Sequence, residues 1–113
     1  MAKLLDMTGF DYSFLDIKLR DKNQTIIHLD IPTEELVQEF EALLPKLDDL
    51  KKGDYAAIRE IYEIGAKLIN INLDYIQVTA EELRTTYNMP VLAMLGFFNG
   101  YLDALDALAK AKN

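Results

Sequence analysis

Pro90 opens the longest uninterrupted helix that this sequence predicts, and that helix restricts the fold more than any other feature. Residues 90–110 favour a helix, with Pro90 suited to a first helical position and Lys110 and Lys112 set against the negative end of the helix dipole. Val91, Leu92, Met94, Leu95, Phe97, Phe98, Tyr101, Leu102, Leu105 and Leu108 cover more than one stripe of that helix. A chain of 113 residues has room for one core of ordinary size, so a single domain over 1–113 must accommodate all of this apolar surface. Two arrangements do so: the helix is the central element of the core, or one side of it faces a partner.

The segments before it supply the remaining layers. Over residues 10–31 apolar positions alternate, first through Phe10, Tyr12 and Phe14, then in the opposite phase through Leu15, Ile17 and Leu19, and again through Ile27, Leu29 and Ile31. This reads as a β-hairpin with a polar turn at Arg20-Asp21-Lys22-Asn23-Gln24 and a bulge near Phe14 and Leu15 that reconciles the phases. A hairpin alone is not stable in water, so it must lie against helices or pair with another chain. Pro32-Thr33-Glu34-Glu35 starts a helix over 33–50, with Leu36, Val37, Phe40, Leu43, Leu44, Leu47 and Leu50 on one stripe and a kink or break at Pro45, so that the main helix runs to about Leu44 with a short continuation. After Lys51-Lys52-Gly53, Asp54 caps a helix over 54–70 with Ile58, Ile61, Tyr62, Gly65, Leu68 and Ile69 inward. A connector over 70–77 leads to the capping-box spacing of Thr79 and Glu82 and a short helix over 79–87. The expected class is α+β, mainly helical: an N-terminal β-hairpin followed by about four helices.

Composition narrows the chemistry. Twelve basic residues against 19 acidic ones give a net charge of -7, which opposes the phosphate attraction behind most nucleic-acid binding. With no cysteine and one histidine, disulfides, thiol nucleophiles and plans needing two imidazoles are excluded. His28 alternates with Ile27 and Leu29, on the polar face of its strand. Asn70, Asn72, Asp74 and Glu81 fall on the first, third, fifth and twelfth positions of a calcium loop, but Tyr75 stands where that loop needs glycine and the first ligand is a neutral amide. Asp48-Asp49 and Glu81-Glu82 sit at helix ends, where solvated capping is the ordinary role of paired acids. No metal, cofactor or catalytic constellation is therefore expected. Gly96 and Gly100 have the spacing that lets helices approach closely, ordinarily in an intramolecular crossing. The apolar run after Pro90 meets Asn99, Asp103 and Asp106 and is not expected to span a membrane, and the start of the chain lacks a secretory leader pattern, so a cytoplasmic location is expected.

Leu68-Ile69-Asn70-Ile71-Asn72, Val78-Thr79-Ala80-Glu81-Glu82-Leu83 and Phe97-Phe98-Asn99-Gly100-Tyr101-Leu102, with the ending Ala111-Lys112-Asn113, resemble the tail assembly chaperones of long-tailed phages and prophages of Gram-positive bacteria. The resemblance lies mainly over 54–113 and rests on layout and short strings. It implies a non-enzymatic protein of the bacterial cytoplasm that coats the tape measure protein, helps the tail-tube protein polymerise around it and is absent from the finished virion. On the residues themselves, an acidic helical module with surplus apolar helix surface suits helix-in-groove contacts. Leu92, Leu95, Phe97, Phe98, Tyr101 and Leu102 are the expected partner-binding residues, and a homo-oligomer is expected from the same surplus and from open hairpin edges. The alternative is an acidic interaction or inhibitor module, antitoxin-like or a nucleic-acid mimic. The interleaving of acids with lysines speaks against it.

Overall fold

The computed structural model describes residues 14–51 and 56–111. The expected positions Phe10, Tyr12, Asp54, Lys112 and Asn113 lie outside them. Two strands, β1 (Leu15–Lys18) and β2 (Ile26–Leu29), pair antiparallel with Leu15 opposite Leu29, Asp16 opposite His28, Ile17 opposite Ile27 and Lys18 opposite Ile26. The turn is tied by Asp21, whose carboxylate accepts the Thr25 N–H at 2.7 Å and the Thr25 hydroxyl at 2.5 Å. These bonds, the hydroxyl's first, hold the Asp21 carboxyl below its ordinary range. The phase change falls where the alternation placed it. The Phe14 N–H donates to the Leu29 carbonyl at 2.6 Å although Leu29 already pairs with Leu15, so two consecutive residues oppose one, as in a β-bulge, and both pack on the core.

The other edge of β2 is covered by the connector. Leu29 bridges Asn72, the Asp30 N–H donates to the Ile71 carbonyl at 2.9 Å, and the Leu73 N–H donates to the His28 carbonyl at 2.8 Å. Helix α1 (Glu34–Leu43) begins where expected, with the Thr33 hydroxyl accepting the Leu36 N–H at 3.2 Å. Of the kink or break expected at Pro45 within 33–50, the structure takes the break, and the short continuation is two pieces, a 3-10 turn (Leu44–Leu47) and α2 (Asp48–Lys51). Pro45 has no N–H for the ladder, and the Leu44 N–H turns to the Glu41 carbonyl three residues back, so the coil tightens before it resumes.

Helix α3 (Ala56–Ile69) buries Ile61, Tyr62, Gly65, Leu68 and Ile69 as anticipated, and Ala57 and Ala66 beside them. Helix α4 (Ala80–Arg84) has both bonds of the Thr79–Glu82 capping box but ends three residues before the expected limit. There Asn88 takes a left-handed φ of 49° and the Met89 N–H donates back to the Leu83 carbonyl at 2.8 Å, reversing the chain into Pro90. Helix α5 (Val91–Ala111) follows at nearly the expected length. The class is thus as anticipated, a two-stranded hairpin followed by four helical segments, counting α1 through α2 as one.

Met94, Phe98 and Tyr101 of α5 are buried, with Phe98 and Tyr101 edge-on to Phe40 of α1 at 5.1 and 5.5 Å between ring centroids. Burying such side chains stabilises by about 2–3 kcal/mol each. Gly65 of α3 leaves room for the end of the Met94 side chain, because a Cβ there would collide with the Met94 Cε. At Gly96 and Gly100 a Cβ would meet nothing within 4 Å. The expected intramolecular crossing at that pair is therefore corrected: the glycine packed at the contact of α3 and α5 is Gly65, which receives the Met94 side chain.

Candidate functional site: the outer surfaces of the C-terminal helix

Successive residues of a helix turn by about 100°, so the ten apolar residues of α5 separate into lines. The line through Met94, Phe98 and Tyr101 faces inward. Of the six expected partner-binding residues, Phe98 is 1% and Tyr101 0% exposed, which places them in the core, out of a partner's reach in the folded chain. Leu95 and Leu102 are half-buried on one flank of that line, and Phe97 is half-buried on the other, roughly 160° away round the helix. Leu92 is 82% exposed and shares the outward side with Gly96, Asn99 and Asp103. The structure thus joins Leu92, Leu95 and Leu102 into one ribbon and leaves Phe97 on a different surface.

Two apolar grooves border α5. Toward its C-terminal end Leu105 and Leu108 continue the inward line beyond the core and, with Ile31, Pro32 and Val37, line a groove of about 520 Å³. On the Phe97 flank, Ala93 and Phe97 face Ile17 and Leu19 of the hairpin across a groove of about 270 Å³. Neither needed a separate sequence signal. Leu105 and Leu108 belong to the stripe, but that Ile31 and Pro32 face them depends on how β2 feeds into α1. By length and composition Val91–Lys110 could also cross a membrane, although part of it lies inside this fold.

Polar chemistry is concentrated elsewhere, and its main feature escaped sequence reading. His28 pairs with Asp74, 46 residues away: the His28 N–H donates to Asp74 Oδ2 at 2.7 Å and the ring Nδ1 lies 3.1 Å from Oδ1. The backbone bond first, and then the ring, hold the Asp74 carboxyl below its ordinary range. Asn72 donates to the Ile69 and Ile76 carbonyls and accepts from the Asp74 and Ile76 N–H groups, while Asn70 exchanges two bonds with Val78. Three of the four residues that imitate a calcium loop, Asn70, Asn72 and Asp74, are therefore engaged in shaping the connector or tying it to β2, and Glu81 lies in the first turn of α4. Tyr75, at the position where that loop has glycine, does take a left-handed φ of 59° and stands 95% exposed. Among the described residues no three potential ligands are grouped to hold a metal ion.

Among the described residues four surface acids have basic partners: Glu60 with Lys46 at 3.0 Å, Glu39 with Lys67 at 3.3 Å, Glu63 with Arg59 at 2.8 Å and Asp106 with Lys110 at 3.0 Å. Such pairs dilute the one-signed field that a nucleic-acid mimic requires. Tyr62 is buried with its hydroxyl donating to the Met89 carbonyl at 2.6 Å and the Arg84 guanidinium 4.4 Å from its ring centre. Burial pushes this phenol up, and Arg84 opposes the shift. Tyr101 is pushed up by burial alone, and its hydroxyl has no hydrogen-bond partner among the described residues. Comparison of the chain with protein-family models, with curated proteins and with solved structures gives no match.

Proposed function

We propose that this chain is a non-enzymatic tail assembly chaperone of a long-tailed phage or prophage of Gram-positive bacteria, which binds the tape measure protein in the host cytoplasm and promotes tail-tube assembly around it without remaining in the virion. The observation that carries the binding part of the reading is the Leu92–Leu95–Leu102 ribbon, in which Leu92 is exposed and Leu95 and Leu102 pack against the edge of the core with part of their surface open. A ribbon of that kind covers an apolar helical stripe of a long partner by side-to-side packing, with an acidic surround that keeps the complex soluble. The short strings shared with the chaperones supply the choice of partner.

The test is co-expression of the full chain with an aggregation-prone tape measure segment. The unmodified chain keeps the segment soluble, and Leu92→Asp together with Leu102→Gln reduces the soluble fraction severalfold while circular dichroism shows the chain itself still folded. If the segment precipitates with the unmodified chain, the chaperone reading fails. If it stays soluble with the double variant, the ribbon is not the binding face.

A further inference from the structure

We infer that the free edge of β1 is a self-complementary docking surface on which a second copy of this chain adds its own β1 antiparallel, making a continuous sheet across a two-fold axis at Ile17. The hairpin is a two-stranded sheet in which β2 lies between β1 and the connector, so among the described residues it is β1 that has an unpartnered side. The Leu19 N–H donates inward, to the Thr25 carbonyl, and the cross-strand register sets Leu15 and Ile17 in the same phase. By the alternation of a strand, the backbone N–H and C=O groups of Asp16 and Lys18 point outward, and among the described residues nothing pairs with them. Their side chains are exposed, on the face of the sheet away from the core.

Charge selects the occupant and its register. With the axis at Ile17, Asp16 of each copy stands opposite Lys18 of the other, and these two positions exchange backbone hydrogen bonds on both sides of the axis. An axis at Asp16 or at Lys18 would oppose like charges at its centre. Ile17 meets its own counterpart on the inner face, beside the groove bounded by Ala93 and Phe97, so the added strand extends the apolar side of the sheet over that opening. An edge carrying one anion and one cation, two residues apart, resists adding an arbitrary strand and accepts its own copy.

Sedimentation equilibrium of the full chain tests this. The parent forms a dimer at high micromolar concentration. D16K presents two cations on the edge and K18D two anions, so each weakens self-association at least about tenfold. An equimolar mixture of the two recovers the association as a heterodimer, and D16K combined with K18D in one chain recovers it as a homodimer, which loss of folding could not produce. A parent that stays monomeric overturns the inference. So does a dimer that ignores both substitutions, or one that Leu92→Asp alone abolishes, which would place the interface on α5.

Discussion

Where α3 meets α5, the absent side chain of Gly65 lets Met94 settle against the neighbouring helix, and Phe98 and Tyr101 continue the contact onto Phe40. Where β2 meets the connector, backbone bonds at 2.8 and 2.9 Å and the Asp74 carboxylate hold the two segments together, while the Asn72 side chain holds the connector itself in shape. The first seam is non-directional. It tolerates small shifts and loses stability in proportion to the volume removed. The second is directional and half-exposed. Its parts act together, because each Asn72 bond satisfies a backbone group that would otherwise face a partly dry turn. One seam supplies most of the stability, and the other decides where the hairpin sits, and with it which groove opens beside Phe97.

That contrast can be broken first at the helical seam. Phe98→Ala empties the middle of the core and is expected to cost about 4 kcal/mol, measured by chemical denaturation, with one cooperative transition shifted as a whole. Asn72→Ala attacks the other seam. The expected cost is smaller, about 2–3 kcal/mol, because water can reach the freed groups. Its signature is local: hydrogen exchange should accelerate at the Asp74, Ile76, Leu73 and Asp30 amides while the α3 and α5 amides keep their protection. A global loss of protection would show that the two seams form a single unit.

The finest distinction comes from two buried tyrosines inside the helical seam. Tyr62→Phe removes a hydroxyl that satisfies the Met89 carbonyl and should destabilise by about 1 kcal/mol. Tyr101→Phe removes a hydroxyl with no partner among the described residues and should stabilise by about 1 kcal/mol. Paired thermal melts of the two variants read the signs directly. A loss of stability in Tyr101→Phe would reveal a bond to that hydroxyl that the described residues do not supply.

Local patterns in the sequence determined the elements, since helix starts, strand alternation and breakers act over a few residues. Thr33 and Thr79 cap where their spacing to Leu36 and Glu82 places them, the phase change at Phe14 and Leu15 is where the strand doubles a residue, and the stripe of α3 faces inward. The six residues chosen on α5 were legible as apolar but not as a surface. A helix apolar on several sides does not say which line the core takes, and Phe98 and Tyr101 went inward because Phe40 and Gly65 meet them there. Position along the chain was equally silent on His28 and Asp74, whose pairing needs the connector folded back along β2. Tertiary structure alone decided which apolar residues were left over, because burial depends on the other elements that happen to arrive at the same place, and those lie dozens of residues away.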